Sequence, residues 1–136
     1  MTTKTALITG VGPGTGSALA RRFAAGGYQV AMLARNGERL AALQTQVSGS
    51  RAYACDVTDP GALAATLDAV TADMGPPSVL VHNAVGGAFG NFLDIDPAVL
   101  ERNFQVNVMA LLHLARHLTP AMVARREGAI VVTGNT

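Results

Sequence analysis

Four glycines stand in one short loop, at a spacing suited to binding phosphate. An apolar, strand-like run ends at Thr9, and glycines follow at positions 10, 12, 14 and 16 before a helical pattern begins. Such a loop exposes backbone N–H groups beside the positive end of a helix dipole, where an anion is stabilised. We expect a side chain at Gly10 or Gly14 to keep a pyrophosphate from the backbone, and one at Gly16 to push the helix off the sheet. The loop, with Thr15 inside it, therefore predicts a nucleotide cofactor.

A cation follows the second predicted strand, at the point where dinucleotide enzymes distinguish their cofactors. A carboxylate there binds the ribose 2′-hydroxyl of NAD and repels the 2′-phosphate of NADP. This chain has Ala34-Arg35-Asn36 instead, which offers one cation and no carboxylate. The pattern favours NADP(H) over NAD(H), with a solvated surface arginine as the alternative interpretation of Arg35.

Three further polar residues stand where chemistry or positioning is expected. Asp56 follows the third predicted strand, before the separate helix start at Thr58-Asp59-Pro60, and Asn83 ends the fourth strand. Asn107 falls among apolar residues of one predicted helical stripe, namely Phe104, Val108, Leu111 and Ala115. A buried amide needs hydrogen-bond partners, so we expect Asn107 to bond either loop backbone or an ordered water.

Short apolar strands alternate with longer helical patterns and so position these residues. We predict strands over residues 5–9, 29–33, 51–55, 78–83 and 129–133, and helices over 17–25, 38–47, 60–74 and about 97–126. Alternation of this kind requires right-handed crossovers and a parallel sheet. The 136 residues make one α/β domain, residues 1–136. Because the last strand is followed by no helix to cover it, we expect the domain to be incomplete at its C-terminus.

Composition restricts the class of partner. The formal net charge is +1, which argues against nucleic acid or an anionic membrane. The lone Cys55 cannot form an internal disulfide, no apolar run approaches the length of a membrane span, and the N-terminus has no signal-peptide pattern. We therefore expect a cytoplasmic protein that acts on a small-molecule substrate, without nucleic acid or membrane as partner.

Other glycine signatures fit this loop less well. The G-x-G-x-x-G fingerprint fails in both registers, and no Lys-Ser/Thr pair follows the glycines as the phosphate loop of NTPases requires. The segment Gly12-Pro13-Gly14-Thr15-Gly16 resembles the loop of S-adenosylmethionine methyltransferases. That family expects acidic residues before the glycines and after the second strand, where this chain has Ile8-Thr9 and Ala34-Arg35.

A better match is the short-chain dehydrogenase/reductase family. The loop beginning at Thr9 resembles its T-G-x-x-x-G-x-G motif, and His82-Asn83-Ala84 resembles its N-N-A-G motif. The resemblance implies a Rossmann-type doubly wound parallel sheet with strand order 3-2-1-4-5. It also places Asp56-Val57 beside the adenine, Asn83 and Ala84 beside the cofactor, and Asn107 in the catalytic tetrad. In full, the implied cofactor-binding residues are Thr9, Gly10, Gly14, Thr15, Gly16, Arg35, Asp56, Val57, Asn83 and Ala84.

The resemblance implies hydride transfer between NAD(P) and the carbonyl or hydroxyl of a small molecule. In the family a tyrosine exchanges the proton, a lysine lowers its pKa and a serine holds the substrate oxygen. The Tyr-x-x-x-Lys pair would follow the last strand, and Asn135 stands at the serine position. The first alternative to this enzyme is a non-catalytic dinucleotide-binding protein on the same fold. The second is an S-adenosylmethionine-dependent methyltransferase.

The long predicted helix carries apolar residues on more than one face, among them Leu111, Leu112, Leu114 and Leu118. A helix of this kind is buried on several sides. In the resembled family the matching helix packs in a dimer interface, so we expect a homodimer or homotetramer. His113 and His117 stand four residues apart on that helix, but no third ligand is evident, so we expect no metal site.

Overall fold

A five-stranded parallel sheet with helices on both faces forms the structure, a computed structural model that describes residues 3–134. The strands are β1 (Thr5–Ile8), β2 (Gln29–Ala34), β3 (Ser50–Ala54), β4 (Val79–His82) and β5 (Ala129–Val132). The helices are α1 (Thr15–Ala25), α2 (Gly37–Gln46), α3 (Pro60–Met74), α4 (Pro97–Phe104) and α5 (Ala110–Arg125), and a π-helical segment (Gln105–Met109) joins α4 to α5.

The strand order is β3-β2-β1-β4-β5, and each neighbouring pair is parallel. In register, Leu7 of β1 lies between Ala31 of β2 and Leu80 of β4. This confirms the predicted doubly wound Rossmann-type sheet and its order 3-2-1-4-5. The order reverses between β1 and β4, so the chain forms a crevice outside the carboxyl ends of these strands, where open α/β sheets bind ligands.

The core lies on both faces of the sheet because successive strand residues point to opposite sides. One face, which includes Leu7, Leu33 and Leu80, packs against α3 and α5. The other, which includes Ile8 and Met32, packs against α1 and α2. These strand residues are fully buried, as continuous apolar runs in a two-sided sheet should be.

Helix starts follow the sequence closely. Asp59 accepts a hydrogen bond from the backbone of Ala62 at 3.1 Å, Asn36 from Arg39 at 3.0 Å and Asp96 from Ala98 at 2.9 Å. Each side chain satisfies one of the free N–H groups at a helix start. α3 and α4 both begin with proline, which has no N–H to leave unpaired there.

The long C-terminal helical region departs from its prediction. The expected stripe that included Phe104 and Val108 is wrong, because these side chains are 54% and 46% exposed. The buried side of the region consists instead of Val106, Ala110, Leu114, Leu118 and Met122. A π segment takes more residues per turn than an α-helix, so a stripe drawn at 3.6-residue spacing misses the face that meets the sheet.

Exposed apolar side chains remain on the outer side of that region. Leu100, Phe104, Val108 and Leu112, which we term the outer stripe, occur at every fourth position and are each 46–59% exposed. None of the helices within residues 3–134 has both the length and the apolar character needed to cross a membrane.

Candidate functional site

A cavity of about 850 Å³ opens at the carboxyl ends of β1 to β4. Its wall contains nearly all the residues singled out as cofactor-binding: Gly10, Gly14, Thr15, Gly16, Arg35, Asp56, Val57, Asn83 and Ala84. Thr9 is the exception, since it is fully buried and is not on the cavity wall. The strand ends therefore bring one site together from segments far apart in the sequence.

Gly14 and Gly16 have different surroundings in the glycine loop. Gly14 faces open space, because a Cβ built there has no neighbouring atom within 4 Å. A Cβ at Gly16 would overlap the Gly10 carbonyl and lie 2.6 Å from Val11 Cα, so only glycine lets α1 start this close to the loop. The first turn of α1 carries no acidic residue, which leaves its positive end available to an anion.

Gly10 is required for a reason other than the predicted one. Its φ is +66°, and a Cβ there would lie 2.5 Å from the backbone nitrogen of Ala84. The expectation that a side chain at Gly10 would obstruct a pyrophosphate is therefore wrong in its cause. The segment after β4 already occupies the space, so glycine allows two strand ends to approach each other.

Thr9 joins the end of β1 to the end of β4. Its Oγ1 accepts hydrogen bonds from the backbone N–H groups of Asn83 and Ala84 at 3.0 and 3.1 Å. Both lone pairs are then used, so the hydroxyl proton is donated to His82 Nδ1, 2.9 Å away. His82 must carry its own proton on Nε2, which donates to the Val106 carbonyl at 2.9 Å.

His82 is consequently a neutral, buried histidine with both ring nitrogens satisfied. Its side chain connects β4 to the π segment through the Val106 carbonyl. Burial lowers the pKa of His82 below its ordinary value of 6.5. Because the Thr9 hydroxyl and the Val106 carbonyl fix its proton positions, the ring holds the end of β4 against the π segment.

Asn83 holds the same strand ends together from the other side. Its Nδ2 donates to the Gly10 carbonyl at 3.1 Å, and its Oδ1 accepts from the Thr133 hydroxyl at 2.8 Å. The amide thus links the segments after β1, β4 and β5. Its side chain holds the central strands at the cavity wall.

Asn107 bonds loop backbone, the first of the two expected alternatives. Its Oδ1 accepts from Gly86 N and its Nδ2 donates to the Gly86 carbonyl, both at 3.0 Å. A Cβ at Gly86 would overlap the side chain of Asn103, so glycine is needed where the loop meets α4. Asn107 itself is not on the cavity wall. Its predicted place in a catalytic tetrad stays a prediction.

The ends of β2 and β3 form the charged part of the wall. Arg35 is exposed and lines the cavity, as does Arg39 of the first turn of α2, which the sequence analysis did not single out. Asn36 caps α2 through Arg39 N, and this turn brings the second arginine to the same wall. An arginine four residues after Arg35 in a predicted helix was the only available signal.

Asp56 is held by two partners. Its Oδ1 accepts from Thr58 N at 3.0 Å and from Thr58 Oγ1 at 2.7 Å, and its Oδ2 lies 3.6 Å from Arg102 Nη2. The Thr58 hydrogen bonds, with a smaller contribution from Arg102, lower the pKa of Asp56. Arg102 and Asn103, both on the cavity wall, were missed because they come from α4, 46 residues or more along the chain from Asp56.

Three other residues considered in the sequence lie apart from this geometry. Asn135, predicted at the serine position, lies outside the described residues. His117 bonds Asp68 at 2.9 Å, and His113 lines a shallow groove beside it. Across residues 3–134 no three His, Cys, Asp or Glu side chains form a group that could bind a metal ion.

Comparisons with known proteins all match short-chain dehydrogenases. A family model described as short chain dehydrogenase matches residues 4–136. Dehydrogenase/reductase SDR family member 7B of Bos taurus is 33% identical over 135 residues, which cover 92% of this chain and 42% of that protein. The chain thus spans less than half the length of this curated relative.

Solved structures agree with this. A metagenomic short-chain oxidoreductase in complex with NADP has a TM-score of 0.90 and 33% identity over 97% of this chain and 62% of its own. NAD⁺-bound xylitol dehydrogenase gives the same TM-score and identity over 97% and 53%. One of these proteins holds NADP and the other NAD⁺, so a nicotinamide cofactor is common to both while the choice between the two forms differs.

Proposed function

This chain belongs to the short chain dehydrogenase family, and on that premise we propose that its cavity binds the nicotinamide dinucleotide of a hydride-transferring oxidoreductase. The proposed substrate is the carbonyl or hydroxyl of a small molecule. The observation that carries the proposal is the glycine loop, which leads into the N-terminus of α1 and opens at Gly14 onto an 850 Å³ cavity. Such a cavity is large enough for most of a dinucleotide and offers backbone N–H groups to its pyrophosphate.

In hydride transfer the main task of the protein is to position the cofactor against the substrate. The cofactor, when bound, supplies or accepts the hydride. Residues of this chain would bind it along the strand ends, with the loop at the phosphates and Asp56 at the base. Asn83 and Thr9 would keep the wall rigid, since they link β1, β4 and β5. Asn107 and Asn135 are proposed for the catalytic end, by resemblance to the family's tetrad.

We favour NADP(H) over NAD(H) as the cofactor. Support comes from Arg35 and Arg39, two cations on the wall at the end of β2. An arginine pair can form charge-assisted hydrogen bonds to a 2′-phosphate, while the ribose hydroxyl of NAD gains much less from them. Neither side chain is opposed by a carboxylate within the described ion pairs, so both are available to a phosphate.

Cofactor titrations test this part of the proposal. We expect Arg35→Asp to lower the ratio of NADPH to NADH affinity by about tenfold to a hundredfold, the range for loss of one or two charge-assisted hydrogen bonds. Arg116→Gln on α5, away from this cavity, is the matched control and should leave the ratio unchanged. An unchanged ratio in Arg35→Asp would show that Arg35 does not discriminate.

Two alternatives give different results in assays. A methyltransferase would bind S-adenosylmethionine and not NADPH, and family membership is the reason to prefer the dinucleotide. A non-catalytic relative would bind NADPH without transferring its hydride. Incubating the intact protein and deuterium-labelled NADPH with a panel of aldehydes and ketones separates these cases, because only an enzyme places deuterium on the product carbon.

We also propose that the protein is a homodimer or homotetramer in the cytoplasm. Support for assembly comes from the outer stripe, where four large apolar side chains are about half exposed. A contiguous apolar surface on a helix of this length is typical of a subunit contact. Support for a reducing compartment comes from Cys55, which is buried and free.

A further inference from the structure

The hydroxyl of Ser17 bonds the glycine loop from behind. Its Oγ lies 3.0 Å from the Pro13 carbonyl oxygen and 3.0 Å from the Gly14 carbonyl oxygen, so one proton is shared between two acceptors. Ser17 is in the first turn of α1 and, unlike Gly14, is not on the cavity wall. Pro13 is not on that wall either. These hydrogen bonds therefore lie on the side of the loop that faces away from the cavity.

The two carbonyls differ in what else they bond. The Gly14 carbonyl also accepts the Ala18 N–H at 3.2 Å, so the start of α1 already fixes its direction. The Pro13 carbonyl has no backbone donor among residues 3–134, because the Ser17 N–H bonds the Gly12 carbonyl at 3.2 Å instead. Within that range, the Ser17 hydroxyl is the one described partner of the Pro13 carbonyl.

The dipeptide Pro13-Gly14 allows its central peptide to point in either of two directions. Proline is favoured at the second position of both type I and type II turns, and glycine accepts either sign of φ at the third. The two turns differ by a rotation of about half a turn of the peptide between these residues. Gly14 has a φ of −95°, and the Pro13 carbonyl is directed at Ser17. The structure thus shows one of two orientations that the sequence permits.

The direction of a peptide carbonyl also sets the direction of the next N–H. In a planar trans peptide the two groups point in nearly opposite directions. With the Pro13 carbonyl toward Ser17, the Gly14 N–H points toward the cavity, whose wall contains Gly14. This N–H has no described acceptor within residues 3–134, and Pro13 has no N–H that could replace it. In the opposite orientation a carbonyl oxygen would face a bound phosphate and repel it.

We propose that Ser17 is a positioning residue, which holds the Pro13–Gly14 peptide with its N–H toward the pyrophosphate of a bound dinucleotide. This role rests on the proposed dinucleotide function. Loss of the hydroxyl would leave the Pro13 carbonyl without its partner and let the peptide rotate, which turns the Gly14 N–H away from the ligand. Because this N–H would meet only the pyrophosphate, ligands without a pyrophosphate should not be affected.

Two ligands separate this role from a structural one. NADPH has a pyrophosphate, whereas adenosine 2′-monophosphate has the adenine, the ribose and the 2′-phosphate without it. Ser17→Ala should weaken NADPH binding about tenfold, the lower end of what one charge-assisted hydrogen bond contributes, and change binding of the monophosphate by less than about twofold. A serine that only stabilised the start of α1 would affect both ligands together or neither, because alanine is itself a good helix former.

Ser17→Thr and Ser17→Val form a matched pair, because threonine and valine are similar in shape and only threonine has a hydroxyl to donate. The threonine variant should bind NADPH as wild type does, and the valine variant should lose about as much affinity as Ser17→Ala. This pair provides the comparison even if Ser17→Ala folds poorly. Ser48→Ala removes an exposed hydroxyl that is not on the cavity wall, and it should leave both affinities unchanged.

Titration of NADPH by its nicotinamide fluorescence, with the monophosphate as competitor, measures both affinities. Equal NADPH affinity in Ser17→Ala and wild type, or an equal loss for both ligands, would overturn the role of Ser17 and leave the proposed function intact. Equal NADPH affinity in the threonine and valine variants would do the same. Failure of wild type to bind either NADPH or NADH would overturn the proposed function, and the role of Ser17 with it.

Discussion

At the residue scale, Gly10 is a position where the backbone accepts only glycine. Its backbone is left-handed, with φ at +66°, and the segment after β4 fills the space where a Cβ would go. Both effects are independent of any ligand. The sequence motif singled out this glycine, and the structure shows that the chain's own packing requires it.

We predict that Gly10→Ala destabilises the fold by about 3 kcal/mol or more, since strain at positive φ and a backbone overlap act together. Gly61→Ala is the matched control. It lies in α3, where the added Cβ would meet only Asp59 Oδ1 at an ordinary 3.6 Å, so stability should be unchanged or slightly higher. Equal urea midpoints for the two variants would contradict this account of Gly10.

The site residues that could be predicted are those whose position follows from local sequence. Arg35, Asp56 and Asn83 each come directly after an apolar strand, and carboxyl ends of parallel strands meet at one edge. Arg102 could not be predicted in the same way. Its pairing with Asp56 depends on how α4 crosses the edge of the sheet, and no local sequence pattern predicts that crossing.

At the scale of elements, the π segment is the feature that the sequence did not reveal. It contains Asn107 and Val106, whose side chain and carbonyl bond Gly86 and His82 respectively. The helical pattern predicted one uninterrupted helix, because apolar spacing cannot distinguish a π turn from an α turn over five residues. The other helices and strands were predicted to within two residues of their observed bounds.

His82 makes this junction sensitive to pH. Burial holds the folded pKa of His82 below the unfolded value near 6.5, so the unfolded chain takes up a proton that the folded one does not. The stability from the neutral ring is complete above pH 6.5 and is lost as pH falls below it toward the folded pKa. In that window His82 contributes a slope of at most about 1.4 kcal/mol per pH unit.

We predict that His82→Gln, which cannot take up a proton, removes this part of the pH dependence. Denaturant unfolding from pH 5 to 8 measures it, and the variant should show a flatter acid side than wild type. His113 and His117 are unchanged in the variant, so their contribution cancels in the difference. Parallel stability curves for the two proteins would show that His82 is not the responsible group.

At the scale of the whole molecule, the fold could be predicted because strands and helices alternate along the chain. Five apolar segments separated by helical ones leave few topologies once crossovers are right-handed, and the observed order 3-2-1-4-5 is one of them. The outer stripe was harder to anticipate residue by residue. Apolar residues on several faces of one helix indicated further burial, but the predicted stripe around Asn107 included Phe104 and Val108, which are about half exposed.

We predict that Leu112→Glu dissociates the assembly, because a buried unpaired carboxylate at the subunit contact should raise the dimer Kd by about a hundredfold or more. Light scattering at micromolar concentration measures the mass. Ala65→Glu, which adds the same charge on the exposed side of α3, is the control and should leave the mass unchanged. A wild-type monomer under these conditions would contradict the proposed assembly.

The most direct test of the central claim is calorimetric titration of NADPH into wild type and Gly14→Val. We expect wild type to bind one NADPH per chain. A valine at Gly14, where the cavity is open, should weaken binding at least about tenfold by excluding the pyrophosphate, in a variant that still unfolds cooperatively. Absence of NADPH binding by wild type, or equal affinity in Gly14→Val, would contradict the assignment of this loop as a dinucleotide-binding site.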